Sequence, residues 1–183
     1  SATVGAPDEV ARYLGGLNNY GLYRTVETVV VDAVKHIDLT VEMPRVQQSD
    51  FVEAARLTID PKSFAALRRC KKLIEDHVST LFFTNTRDGA EILSSRFHVW
   101  APDFPLGVHH GSLSKHARIE AEDQFKEGIL RSLICTSSLE LGIDVGNTDF
   151  VIQYNSPREV TRIVQRIGRS GHRIDQVSKG EII

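Results

Sequence analysis

Five arginines crowd one short stretch of the chain: Arg158, Arg162, Arg166, Arg169 and Arg173. The first three are spaced i, i+4, which lines them along one face of a helix. A solvated basic face would account for that spacing. It would not account for Gly168 and Gly171, which interrupt the helix inside Gln165-Arg166-Ile167-Gly168-Arg169-Ser170-Gly171-His172-Arg173. A glycine-opened turn lets a guanidinium project from close-lying backbone, and a cation so placed can meet a γ-phosphate while that phosphate is being transferred.

Four other clusters are small and polar: Thr84-Asn85-Thr86-Arg87, His109-His110-Gly111, Thr136-Ser137-Ser138 and Tyr154-Asn155-Ser156. Each follows a short apolar run of the kind that forms a buried strand, so each is expected just past the carboxyl end of a strand. In an open parallel sheet that edge is where ligands bind. Hydroxyls and glycine leave backbone N–H groups reachable there, and the helix N-termini that follow favour phosphate oxygens. Taken singly, each cluster also reads as ordinary helix capping, and Ser114 before residues 115–126 reads as a cap alone.

The elements that must position these residues alternate along the second half of the chain. A helix is expected from Pro61, where Phe64, Leu67, Ile74 and Val78 recur near helical spacing, followed by strand 80–84, helix 88–97 and strand 106–109. Helix 115–126, strands 132–135 and 149–153 and helix 158–167 complete the series. Such alternation implies an α/β fold with a mostly parallel central sheet and helices on both faces. Upstream, a short helix over 8–14 stops at Gly15-Gly16. Two runs rich in Val and Thr, 25–31 and 36–43, read as a hairpin within a β-rich connector, and residues 44–60 read as a connector without definite form.

The wording of these segments resembles the superfamily 2 helicases. Residues 165–173 are similar to motif VI, and Thr136-Ser137-Ser138-Leu139-Glu140-Leu141-Gly142-Ile143-Asp144 to motif V. Residues 81–87 resemble motif IV, Val108 to Ser114 with downstream Arg118 resemble motif IVa, and Ser1-Ala2-Thr3 resembles motif III. The phrases His-His-Gly-Ser-Leu-Ser, Ser-Ser-Leu-Glu-Leu-Gly-Ile-Asp and Gly-Arg-Ser-Gly-His-Arg are similar to the Lhr-type subgroup. The resemblance implies a RecA-like fold in which residues 1–24 end a first motor domain and residues 25–183 form the second. It implies Arg169 as principal arginine finger, Arg173 as a second phosphate-directed arginine, Arg166 paired with acidic groups of the first domain, and Gln165 near the γ-phosphate. It implies Gly142 and Asp144 at the nucleotide ribose. Thr84, Asn85, Thr86, Arg87, His110, Gly111, Thr136 and Ser137 would hold the backbone of the tracking strand. Relatives place an arginine directly after the glycine matching Gly171, whereas here His172 intervenes, so either His172 or Arg173 serves as the second contact.

Absences narrow the reading. The chain contains no Gly-x-x-x-x-Gly-Lys-Ser/Thr loop to cradle phosphates and place a hydroxyl on Mg²⁺, so ATP and Mg²⁺ are expected to be held mainly by the first RecA-like domain. The fragment alone is expected to be inactive. Its net charge of -2 argues against a globally basic nucleic-acid binder and leaves phosphate contacts to local clusters. Cys70 and Cys135 have no second ligand at metal spacing, so no metal site and a reduced, cytoplasmic setting are expected, and no run is long and apolar enough to cross a membrane. The expected partners are single-stranded or partly duplex nucleic acid, DNA or an RNA–DNA hybrid, and the first domain. The alternative is a non-catalytic RecA-like module that binds nucleic acid or a protein partner. An unrelated doubly wound enzyme is disfavoured, because no Gly-x-Gly-x-x-Gly follows the first strand.

Overall fold

In a computed structural model of the chain, the described residues are 5–29, 36–140, 145–171 and 177–183. Two compact units are present, Ser1–Val34 and Lys35–Ile183. The smaller unit contains helix α1, Pro7–Gly15, with proline in its first turn and Gly16 at φ 59° closing it. A tight turn follows, in which Asn18 Oδ1 accepts the Tyr20 and Leu22 N–H groups and Leu17 bridges antiparallel to Tyr23.

The larger unit is built on six strands: β1 (Ile37–Val41), β2 (Thr80–Phe83), β3 (Leu106–His109), β4 (Ser132–Cys135), β5 (Phe150–Gln153) and β6 (Ser178–Ile182). They pair in the order β1-β6-β5-β2-β4-β3, and every pairing is parallel. Helices α2 (Gln48–Leu57), α3 (Pro61–Asp76), α4 (Arg87–Trp100), α5 (Lys115–Lys126) and α6 (Val160–Ile167) cover it. Successive side chains on a strand point to opposite faces, so the fully buried central strands feed two cores. Phe82, Ile134 and Ile152 join residues of α2, α3 and α4 on one face. Leu81, Phe83, Leu133, Cys135 and Val151 join Phe125 of α5 and Ile163 and Ile167 of α6 on the other. The chain passes from β2 to the outer β3, returns to β4 and then crosses to β5 on the far side of β2. The strand order therefore reverses at β2, where the carboxyl ends open a crevice.

The expected hairpin is not formed. Within 36–43, β1 pairs in parallel with β6, from Ile37 against Ser178 to Val41 against Ile182, and residues 25–29 form no strand, while 30–35 lie outside the described residues. A two-stranded hairpin alone is marginal in water, and adding β1 to an existing sheet edge satisfies the same backbone groups with more packing behind them. Its partner β6 has the sequence Ser-Lys-Gly-Glu-Ile and carries no strand-like pattern of its own. Residues 44–60, left as a connector, contain α2, whose Asp50 carboxylate accepts the Gln47 N–H at 2.7 Å and the Arg68 Nε–H at 2.8 Å. Cys70 and Cys135 are buried free thiols, and burial pushes the pKa of both upward. Among the described residues no helix is long and apolar enough to cross a membrane, and no group of three or more His, Cys, Asp or Glu side chains is placed to hold a metal ion.

Candidate functional site

The four polar turns follow β2, β3, β4 and β5 and so share the carboxyl edge of the sheet. After β2, Thr84 is buried while Asn85, Thr86 and Arg87 are exposed. Thr86 caps α4 by accepting the Gly89 N–H at 3.0 Å. Gly89 itself is confined: a β-carbon there would lie 2.8 Å from Thr84 Oγ1 and 3.0 Å from Thr86 Oγ1, so both hydroxyls approach the helix start because no side chain intervenes. Arg87 donates from Nη1 to Ser112 Oγ at 2.8 Å, joining the turn after β2 to the one after β3.

The two adjacent histidines face different partners. His109 is fully buried, with Nε2 2.7 Å from Glu122 Oε1 on α5 and Nδ1 2.9 Å from Ser138 Oγ, which also donates to the His109 carbonyl. His109 thus fastens the turn after β4 to the end of β3. His110, expected on the nucleic acid, is only 3% exposed, and its Nε2 lies 2.6 Å from Glu91 Oε1. Its ring is held inward by α4, so the exposed surface of this turn is Gly111 and Ser112. Gly111 has open space around its α-carbon. Thr136 is 7% exposed and Ser137 is exposed at the start of a short 3-10 turn, Ser137–Leu139.

The arginine cluster is arranged differently from its spacing. Arg158 precedes α6 with φ 64°, so it does not continue the helical face of Arg162 and Arg166. Arg166 is 1% exposed and turned into its own domain. Its Nε and Nη2 donate to Glu140 Oε2 at 3.2 and 3.1 Å, and its Nη1 to Gln153 Oε1 at 2.6 Å and Asn85 Oδ1 at 3.1 Å, with the guanidinium carbon 5.1 Å from the Phe83 ring centroid. The acidic partner implied for another domain is therefore found here, as Glu140. A buried guanidinium needs a carboxylate and satisfied N–H groups, and this domain supplies both. Glu140 also lies 3.6 Å from Arg162 Nε, and its carbonyl accepts Arg169 Nη2 at 2.9 Å.

Arg169 is half-buried at the far end of α6. Ser170 bridges in parallel to Thr148, which precedes β5, so this turn lies toward the amino edge of the sheet and not on the strand-end rim. An eight-residue helix spans about 12 Å, and α6 separates the arginine turn from the row of polar turns by that length. Arg166 bridges the gap because helical side chains lean toward the helix N-terminus, which carries its guanidinium back to Asn85 and Gln153. Gln165 is half-buried on the same helix. Gly142, Asp144, His172, Arg173 and Ser1-Ala2-Thr3 lie outside the described residues.

Glu140 and Gln153 were not singled out by sequence reasoning. The available signal was a lone acid in a turn preceding an arginine cluster, and a polar residue closing the apolar strand Phe150-Val151-Ile152.

Comparison with known proteins agrees with this geometry. The Helicase conserved C-terminal domain model matches residues 65–174. The chain is 41% identical over 185 residues to the ATP-dependent helicase Lhr-Core protein 2 of Thermococcus barophilus and 42% identical over 187 residues to the ATP-dependent helicase Lhr-Core of Methanothermobacter thermautotrophicus. In both cases the match covers 100% of this chain and 21% of the relative, so the chain spans about a fifth of those proteins. A structure of Mycobacterium smegmatis helicase Lhr bound to ssDNA and AMP-PNP superposes with TM-score 0.81 at 36% identity, covering 100% of this chain and 23% of that one. With its all-parallel doubly wound sheet and the order of its motifs, the chain belongs to the helicase conserved C-terminal domain family, as the RecA-like second domain of an Lhr-type superfamily 2 helicase.

Proposed function

We propose that this domain works within an ATP-dependent helicase, presenting Arg169 to a nucleotide held by a first RecA-like domain and half of the floor on which one nucleic-acid strand runs. The observation that carries the reading is the row of exposed polar turns along one sheet edge, tied through buried Arg166 and Glu140 to the half-exposed Arg169. Asn85, Thr86, Arg87, Gly111 and Ser137 offer amides, hydroxyls and one guanidinium to a sugar-phosphate backbone without reading base edges, with the nearly buried Thr84 and Thr136 directly behind them. His110 contributes through its main chain, since its ring is engaged by Glu91.

The residues present fit a nucleotide as one half of a shared site. Arg169 has one N–H committed to the Glu140 carbonyl, which aims the guanidinium, and Gln165 is half-exposed one turn earlier. ATP with Mg²⁺ supplies a transferable phosphoryl group. Arg169 offsets charge that builds on that group, and Glu140 keeps the guanidinium from swinging into solvent. Gly142, Asp144 and Arg173 are proposed to complete this half of the site. The named ligands of the Mycobacterium smegmatis relative, ssDNA and AMP-PNP, favour a DNA strand and an adenine nucleotide here as well. A strand of an RNA–DNA hybrid satisfies the same backbone contacts.

Replacing Arg169 by Ala in the full-length protein tests the assignment. Nucleic-acid-stimulated ATP hydrolysis is expected to fall about 10³-fold or more, with strand affinity nearly unchanged. Stimulated hydrolysis at the unsubstituted rate would favour the alternative, a nucleic-acid-binding module without a motor role.

A further inference from the structure

A cleft of about 570 Å³ opens beside the strand edge, between the turns after β2 and β5 and the layer formed by α3 and α4. Its floor is apolar, built from Ile59, Leu67 and Leu93 together with the half-buried ring of Tyr154, which meets Phe82 edge-on at 6.2 Å. Thr84, Thr86 and Ser156 stand on its rim. Its charged lining residues are Arg96 and Arg158, and among the described residues no carboxylate lines it. A volume of this size lies within the range of small-molecule clefts, roughly 300–1,000 Å³. Two cations without an acid suit a ligand that carries negative charge, while the aromatic and aliphatic floor suits a flat apolar face.

The backbone around this cleft is strained at three places. Thr58, Asn155 and Arg158 are the non-glycine residues with positive φ among the described residues, at 54°, 61° and 64°. Asn155 and Arg158 line the cleft, and Thr58 directly precedes Ile59. Thr58 closes α2 where glycine or asparagine is usual, and a β-branched residue is poorly suited to that conformation. The strained turn after β5 is held by one buried and one exposed amide: Gln153 Nε2 donates to the Asn155 carbonyl at 2.7 Å, and Asn85 Nδ2 to the Ser156 carbonyl at 2.9 Å. Strain that surrounding contacts over-determine gathers at ligand clamps.

We propose that this cleft is a subsite for one unstacked nucleobase of the bound strand, with the attached phosphate turned toward Arg158 and the hydroxyls of Thr84 and Thr86. The inference rests on the proposed function, because Thr84, Asn85 and Thr86 belong at once to the strand path and to the wall of the cleft. The floor gives the base an apolar face to lie against, and every base has one, so the subsite works without sequence preference.

The test uses the full-length protein and a short single-stranded DNA in which one abasic residue is moved stepwise along the strand, with binding read by fluorescence anisotropy. One position is expected to lose about ten-fold or more in affinity, the rest little. Ile92 is 57% exposed at the mouth of the cleft, so Ile92→Trp fills the opening without burdening the core. In that variant the position-dependent loss is expected to vanish, and the intact strand binds as weakly as the abasic one. A flat scan in the unsubstituted protein that still binds the intact strand tightly overturns the subsite and leaves the proposed function standing. A positional loss that persists unchanged in Ile92→Trp also overturns it, because the base then lodges elsewhere. Competition by a free deoxynucleoside monophosphate together with a flat scan assigns the cleft to a free nucleotide and overturns a strand-borne base. No binding of any strand overturns both readings.

Discussion

Arg166 holds together groups from three different turns, and its chemistry explains why neither a shorter nor a simpler cation replaces it. One planar guanidinium reaches Glu140, Gln153 and Asn85 at once. Removing it leaves the nearly buried Glu140 carboxylate only the longer contact to half-exposed Arg162, which costs about 3 kcal/mol. Arg166→Ala is therefore expected to lower the thermal unfolding midpoint substantially, and Arg166→Lys to recover little of it, since an ammonium is a point charge and cannot serve three acceptors in a plane. Recovery of full stability by lysine would argue against this network. Gly89→Ala disturbs the same edge from the helix side. Alanine favours the helix by roughly 1 kcal/mol over glycine, yet its β-carbon displaces the Thr84 and Thr86 hydroxyls. Losing the Thr86 cap costs about 1 kcal/mol, which offsets that gain, so the expected result is unchanged or slightly lower thermal stability with several-fold weaker strand binding by titration. At this scale the residue types were legible in the sequence and their directions were not. The spacing of Arg158, Arg162 and Arg166 could not reveal that α6 begins only at Val160, or that Arg166 turns inward, because both depend on β5 and Glu140 lying beneath the helix. The same limit applied to His110, whose partner Glu91 sits one turn into a neighbouring helix.

Among the elements, several were legible almost to the residue: Leu106–His109, Lys115–Lys126 and Ser132–Cys135 stand where the pattern put them. Strand β6 was obscure because its Ser-Lys-Gly-Glu-Ile sequence neither alternates nor is apolar; it lies inside the sheet, between the edge strand β1 and β5, and its place is fixed by tertiary packing. Gly180 shows how tight that packing is: a β-carbon there would lie 2.2 Å from Ile167 Cδ1 and 2.7 Å from the Val151 carbonyl oxygen. Gly180→Ala is expected to destabilise the domain by about 1–3 kcal/mol, measured by denaturant unfolding, as α6 is pushed off β6. Helix α2 was hidden in a segment with weak periodicity and is fixed from outside, through Asp50. The hydrogen bond from Arg68 holds the Asp50 carboxyl below the usual carboxylate range. A group with a depressed folded pKa stabilises the fold above its unfolded value, near 4, and loses that contribution as pH falls toward the folded value. Asp50→Asn should thus lower stability at neutral pH by about 2 kcal/mol and make the decline between pH 5 and the acid limit shallower. An unchanged acid limb in pH-dependent unfolding would remove this link.

For the whole molecule, a net charge of -2 gives no overall attraction to phosphates, so the proposed strand path relies on local groups. Strand binding by the full-length protein is expected to weaken steeply with salt, and Arg87→Ala to reduce the slope of log affinity against log salt by about 1 without altering sequence preference. A slope identical to that of the unsubstituted protein would take Arg87 off the phosphate path. The parallel sheet and its ligand edge were legible, because alternation of strand and helix admits few other topologies. Both thiols of this domain sit at 0% exposure within the two cores, and burial holds them in the unreactive neutral form. A dye-reactive maleimide will pass them by while the domain is folded. A cysteine engineered at exposed Ser112 or Ser137 becomes this domain's single labelling handle, and fluorophores placed there can follow the strand edge against another domain during turnover with Cys70 and Cys135 left in place.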